Sequence, residues 1–271
     1  MTRRRPSCPF RALASASAAA VLLTTAACSG GGGGGSTASG VSASPLAENT
    51  PTAPARLTQA GAQAALITEG DLEGNWNQVK GAAAWGDTLL VGKVDVAQFL
   101  TAKADAGDCQ RLLDALYDDD LLGKPAGASA LTGFEQGDSR LLHQVAAYNR
   151  VRLSASLAWL KTLPVKCDQF TATDAKGGKR TVQVTSASVP KQGDARQGLH
   201  VTVQGTANGV PATLTLDVAA VRVGDDAITV TAGGLTGGAH TSLELAVRTG
   251  AQRLKEVQSG KTPAAGPGRA G

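Results

Sequence analysis

The stretch Leu199–Val230, LHVTVQGTANGVPATLTLDVAAVRVGDDAITV, decides the fold. Leu199, Val201 and Val203 alternate with His200, Thr202 and Gln204, which makes one side of an extended chain apolar and the other polar. Asn208-Gly209 is the strongest short hairpin signal, because both central positions of a two-residue turn need positive φ. Leu214, Leu216 and Val218 then alternate with Thr213, Thr215 and Asp217. Gly224-Asp225-Asp226 marks a second turn, and Ala227 to Thr231 returns. The pattern predicts an antiparallel meander with one face toward a core.

Downstream, Leu243, Ala246, Gly250, Leu254 and Val257 form one stripe of a helix predicted over about His240 to Val257, which would cover that face. Upstream, Thr181 to Thr185 alternates as another strand. Leu153, Leu157 and Leu160 recur at helical spacing over Arg150 to Thr162, with Asn149 as the cap and Pro164 as the stop. Leu131 to Phe134 and Arg140 to Tyr148 read as strands. Asp108 to Leu116 reads as a short helix capped by Asp108, with Leu112, Leu113 and Leu116 on its inner side. Gly86 to Phe99 reads as an extended apolar piece, and Ala62 to Ile67 as a further apolar segment. The expected class is α+β: a single domain, a twisted antiparallel sheet with helices packed mainly on one face. Aromatic residues are only 3% of the chain, so Ala, Val and Leu must build the interior.

The ends of the chain have a different composition. Arg3, Arg4, Arg5 and Arg11 precede an uncharged run from Ala12 to Leu23 and the small residues Ala26 and Ala27. A basic start, a short apolar run and a small-residue cut site define a secretory signal peptide, here 1–27. The run is too short to remain as a span, which takes about 20 apolar residues. Leu22 to Cys28 resembles the lipobox of bacterial lipoproteins, with Thr25 where Leu is usual. That resemblance implies diacylglycerol on the Cys28 sulfur, cleavage before Cys28, acylation of the new amino group, and a place on the outer face of the cell membrane. One acyl chain holds only marginally and two hold stably. Arg3-Arg4-Arg5 hints at twin-arginine export, although the rest of that motif is missing. Residues 28–56, with six glycines from Gly30 to Gly35, read as a flexible linker, with a typical reach of roughly 30 Å. The folded part is expected over 57–258, and 259–271 reads as a disordered tail.

The chain carries 26 Lys and Arg against 22 Asp and Glu. Removing the four arginines of 1–27 leaves 22 bases against 22 acids, so the basic balance belongs to the signal and gives no reason to expect nucleic acid. Of the four cysteines, Cys8 leaves with the signal and Cys28 takes the lipid; Cys109 and Cys167 remain. An even pair in an oxidising compartment predicts a disulfide joining the ends of two helices, with free buried thiols as the alternative.

No constellation for chemistry emerges. His143, His200 and His240 lack partners at metal-ligand spacing and read as solvated or singly hydrogen-bonded. Asp118-Asp119-Asp120 lacks the alternation of a calcium loop and reads as a solvated helix end. There is no nucleophile elbow, Walker loop or dinucleotide fingerprint. The expectation is a non-enzyme with no cofactor and no metal. Trp76, Trp85 and Trp159 stand out; Trp76 and Trp85 are the candidates to line a ligand cleft, with core positions as the alternative.

The order of features carries one further resemblance: Leu66-Ile67-Thr68 with Asp71-Leu72 and Trp76, then Asp108-Cys109, a strand over Val145 to Tyr148, a helix leading to Cys167 and Phe170, and Arg222-Val223-Gly224-Asp225 before a closing helix. This resembles the PknH-like extracellular sensor domain of actinobacterial kinases and lipoproteins. The resemblance implies a twisted antiparallel sheet with helices and a cleft for an unknown ligand. That family has a second disulfide, and this chain has one pair. The expected function is a membrane-anchored extracytoplasmic ligand-binding or sensing module, whose partner is a small molecule, a lipid or an envelope protein; the alternative is a structural or protein-interaction component of the envelope.

Overall fold

The computed structural model describes residues 56–82, 90–91, 94–95, 103–174, 177–207 and 209–264. Four helices lie among them: α1 (Gln59–Ala64), α2 (Gly107–Tyr117), α3 (Arg150–Lys166) and α4 (His240–Gln258). The strands are β1 (Asn77–Val79), β2 (Leu90–Val91), β3 (Val94–Asp95), β4 (Lys103–Ala104), β5 (Ser129–Gln136), β6 (Ser139–Ala147), β7 (Gln169–Thr173), β8 (Lys179–Ser186), β9 (Ala195–Ala207), β10 (Val210–Val223) and β11 (Asp226–Gly234). Nine of them form one sheet in the order β1-β5-β6-β11-β10-β9-β8-β7-β4, every neighbouring pair antiparallel, while β2 and β3 pair separately.

The α+β class and the antiparallel sheet are as the sequence predicts. Val210 pairs with Ala207 across a two-residue connection. Val223 pairs with Asp226 around Gly224, whose φ of 64° is the left-handed conformation that glycine adopts without a Cβ clash.

The placement of the helices differs from the expectation of one covered face. Leu214, Leu216, Val218 and Ala220 of β10 face a core built with α2 and α3, which includes Leu112, Leu113, Leu153, Leu160, Leu163, Val201 and Val203. Ala219, Val221 and Val223 of the same strand face a second core with α1 and α4, which includes Ile67, Trp76, Phe134, Leu141, Val145, Ile228, Leu243 and Leu254. Adjacent residues of a strand point to opposite faces, so each face carries two helices. The physical reason is visible in Val218-Ala219-Ala220-Val221, where alternation stops and all four side chains are buried. A strand covered on both faces reads as a continuous apolar run.

Two local expectations are corrected. Pro164 does not stop α3; it sits in the last turn, and the helix runs on to Lys166. A proline there forfeits one bond, to the Leu160 carbonyl, and the helix still closes at its end, where the Cys167 N–H bonds the Leu163 carbonyl. Asp108 does not cap α2, whose N-cap is Ala106. Its carboxylate instead accepts hydrogen bonds from Trp159 Nε1 at 3.1 Å and Lys166 Nζ at 2.6 Å. Asn149 does cap α3, accepting from the Val151 and Arg152 N–H groups. Cys109 and Cys167 are bonded, with Cα atoms 5.6 Å apart, which joins the first turn of α2 to the end of α3.

Candidate functional site

An open cleft of about 620 Å³ lies at one end of the sheet. The end of β6, the N-terminus of α3, the β10–β11 turn and the end of α4 meet there, and the chain enters beside them at Arg56. The floor is built by backbone pairing: the Ala126 N–H bonds the Ala147 carbonyl, the Ala147 N–H bonds the Ala128 carbonyl, and the Tyr148 N–H bonds the Asp225 carbonyl. Gln258 closes one side by donating to the Val223 carbonyl at 2.9 Å and to Asp226 Oδ2 at 2.8 Å.

Charges of both signs converge on this cleft. Arg150 and Asp225 are exposed and 3.4 Å apart, an ion pair that water largely screens. Asp226 is buried, and the loss of water around it raises its carboxyl above the usual range despite the Gln258 hydrogen bond. Burial likewise raises the Tyr148 phenol, whose hydroxyl donates to Gln144 at 3.4 Å. None of the lining residues is a Ser, Thr, Cys, His or Lys. The surface offers anchoring groups of both charges and several hydrogen-bonding groups around an apolar floor, which is the composition of a small-ligand site.

A second polar assembly lies on the α4 face. Asp217 is buried, and its Oδ1 is 2.7 Å from His200 Nδ1 and 4.0 Å from His240 Nδ1. His240 Nε2 lies 3.4 Å from Ser188 Oγ and 3.7 Å from Glu244, which Arg248 also holds at 2.8 Å. Among the described residues no group of three or more His, Cys, Asp or Glu is placed to hold a metal ion.

The residues singled out in the sequence are scattered. Trp76 does not line the cleft: it is 1% exposed, packed in the α4 core with Nε1 bonded to Ser242 Oγ at 3.2 Å. Trp85 and Cys28 lie outside the described residues. Trp159 is buried on α3 under the Arg111 guanidinium, 3.8 Å above its ring. His143 is not solvated: it is fully buried, neither ring nitrogen has a partner, and burial followed by the nearby Arg253 charge lowers its pKa to about 3. Asp119 is not simply solvated either. It sits at φ 55°, and burial, then Asp118 and Asp120, raise its pKa to about 7. Among the described residues no helix is long and apolar enough to cross a membrane.

Sequence reading missed the cleft itself. Asn149-Arg150 and Gly224-Asp225 were visible only as a cap and a turn, and nothing local says that positions 56, 149, 225 and 258 meet.

No protein-family model matches the chain, and no curated protein matches it. Two solved structures are similar to it. The extracellular domain of PknH from Mycobacterium tuberculosis aligns at 11% identity and a TM-score of 0.39, over 76% of this chain and 100% of that one. An uncharacterized Mycobacterium smegmatis protein, the Rv0999 ortholog, aligns at 16% identity and a TM-score of 0.35, over 68% of this chain and 85% of that one.

Proposed function

We propose that this chain is a lipid-anchored, extracytoplasmic, non-enzymatic module that binds a small polar ligand in the cleft at the end of its sheet. The observation that carries the reading is the convergence of Arg56, Arg150, Asp225, Asp226, Asn149 and Gln258 around about 620 Å³ of open volume. The disulfide supports an oxidising compartment. The lipobox-like run ending at Cys28 supports the anchor.

Two measurements test the two halves separately. The native protein, extracted with detergent, is expected to show a diacylglyceryl mass on Cys28; a free thiol there overturns the anchor. For the cleft, a thermal-shift screen of envelope lipids and cell extracts is expected to yield a stabilising compound. Arg150→Ala with Asp225→Ala removes exposed groups and leaves the cores intact, so it is expected to weaken that shift at least tenfold in ligand concentration without changing the unliganded Tm. A shift that survives both substitutions, or no shift from any source, overturns the cleft reading.

A further inference from the structure

The helix beside the cleft has a second apolar side. Five apolar residues of α3 are under a tenth exposed, Leu153, Leu157, Trp159, Leu160 and Leu163, together with Ser156. Val151, Ala155, Ala158, Thr162 and Val165 are all exposed. Their spacing of four, three, four and three residues places them within about 40° of one line along an α-helix, over roughly 21 Å. Val151 is 77% and Val165 83% exposed, and they are two of the three large exposed apolar residues described. Every charge on α3 is positive: Arg150, Arg152, Lys161 and Lys166, arranged along both flanks of that line. Arg222 reaches the same flank by donating to Ser154 Oγ at 3.0 Å. Arg150 and Lys166 have carboxylate partners, Asp225 and Asp108. No ion pair of Arg152 or Lys161 is found among the described residues, so both present charge to whatever lies outside.

We infer that the outer face of α3 rests on an anionic bilayer surface. Two observations choose that occupant. Charge is the first: a shallow apolar line between cationic flanks complements anionic headgroups, to which each nearby Lys or Arg adds attraction. A second copy of the chain would set these cations against one another. A protein partner would need large apolar anchors, and the apolar line of this face offers none larger than valine. The second observation is where the remaining chain leaves the domain. The described residues begin at Arg56, which lines the cleft together with Asn149 and Arg150, beside the N-terminal end of α3. This point rests on the lipid-anchored reading: a tether fixed at Cys28 would bring this end of the domain toward the membrane. The helix then lies along the surface and the cleft opens at its edge.

The test uses residues 49–271, which contain both cores and every described helix and strand and so form a folding unit. The fragment is sedimented with phosphatidylcholine vesicles, with and without phosphatidylglycerol. Binding is expected only to the anionic vesicles, and it is expected to fall steeply as salt shortens the screening length. Arg152→Glu with Lys161→Glu is expected to weaken it at least tenfold at unchanged Tm, whereas Arg152→Lys with Lys161→Arg retains it. Absence of anionic binding, equal binding to neutral vesicles, or binding undiminished by charge reversal overturns the inference. Preferential capture of an acidic helical peptide over vesicles overturns it too, and reassigns the face to a protein partner. Because the fragment lacks position 28, a negative vesicle result leaves the anchor standing, and an unmodified Cys28 thiol leaves a positive vesicle result standing.

Discussion

The two faces of the sheet share β10, yet they are held together differently. On the α2–α3 face Ser156 Oγ donates to the Leu122 carbonyl at 3.0 Å, and Arg180 pairs with Asp174 at 3.0 Å. A covalent bond and the Asp108–Lys166–Trp159 contacts then tie the two helices to each other. On the α4 face no disulfide is present among the described residues, and the fit is closer. Gly250 lies so near the sheet that a Cβ there would fall 2.3 Å from His143 Nε2. The imidazole beneath it has no hydrogen-bond partner, while Arg253 nearby reaches Asp71 at 3.3 Å and the Ala64 carbonyl at 3.4 Å. One face depends on a cross-link that restricts the unfolded chain, the other on contact geometry in the folded one. Perturbations should therefore separate them.

The largest expected effect is on the cross-linked face. Cys109→Ser with Cys167→Ser opens a separation of 58 residues, for which the loop-entropy model gives about 4 kcal/mol. Urea unfolding should show that loss, and hydrogen exchange should show it first in α2 and α3. Equal loss of protection across α4 would mean that the two faces do not differ in the way described.

Next in size is Gly250→Ala. The added methyl meets the ring of His143, and overpacking of this kind costs about 1–3 kcal/mol. His143→Ala makes room for it, so in the double variant the cost of the alanine at 250 should largely vanish. Strict additivity of the two would show that the helix and the imidazole are not in close contact.

A smaller loss of about 1 kcal/mol is expected for Asn149→Ala, which removes the acceptor for two N–H groups at the start of α3. An unchanged urea midpoint would mean that water replaces the cap without loss.

The subtlest effect is in the response to pH, where His143 on the α4 face and Asp119 beside α2 act in opposite directions. His143 is held neutral, with its pKa lowered to about 3 from 6.5, so unfolding takes up a proton between those values and stability rises with pH across that window. Asp119, beside α2, is held protonated, with its pKa raised to about 7 from 3.8; unfolding releases a proton, and stability falls as pH rises from 3.8 to 7. Asp120 and Asp226, also raised by burial, act in the same sense as Asp119. Between about pH 4 and 6.5 the contributions offset. Asp119→Asn should therefore steepen the rise of stability with pH in that window, and His143→Leu should flatten or reverse it. If Asp119→Asn leaves the pH dependence unchanged, the carboxyl is ionised in the folded protein.

The elements themselves were legible locally. The alternation of Leu214, Leu216 and Val218 set the register, the turn at Gly224 appeared where two strands had to reverse, and Asn149 capped the helix that follows β6. These signals depend on neighbours within a few residues, and backbone sterics and hydrogen bonding act on them directly. The disulfide was legible as well, from counting cysteines. The site was not, because the cleft assembles positions 56, 126–128, 147–150, 224–226 and 258, whose proximity no local pattern encodes.

By itself, then, the sequence determined the central strands, most of the helices and the cysteine pairing, since periodicity, turn chemistry and cysteine count are local properties of the chain. Only the tertiary structure decided that both faces of the sheet are covered, that Trp76 is core, that His143 is sealed beneath Gly250, and that Arg56 meets the start of α3. Those facts depend on which apolar surface packs against which, and that is settled by the joint fit of segments distant in sequence.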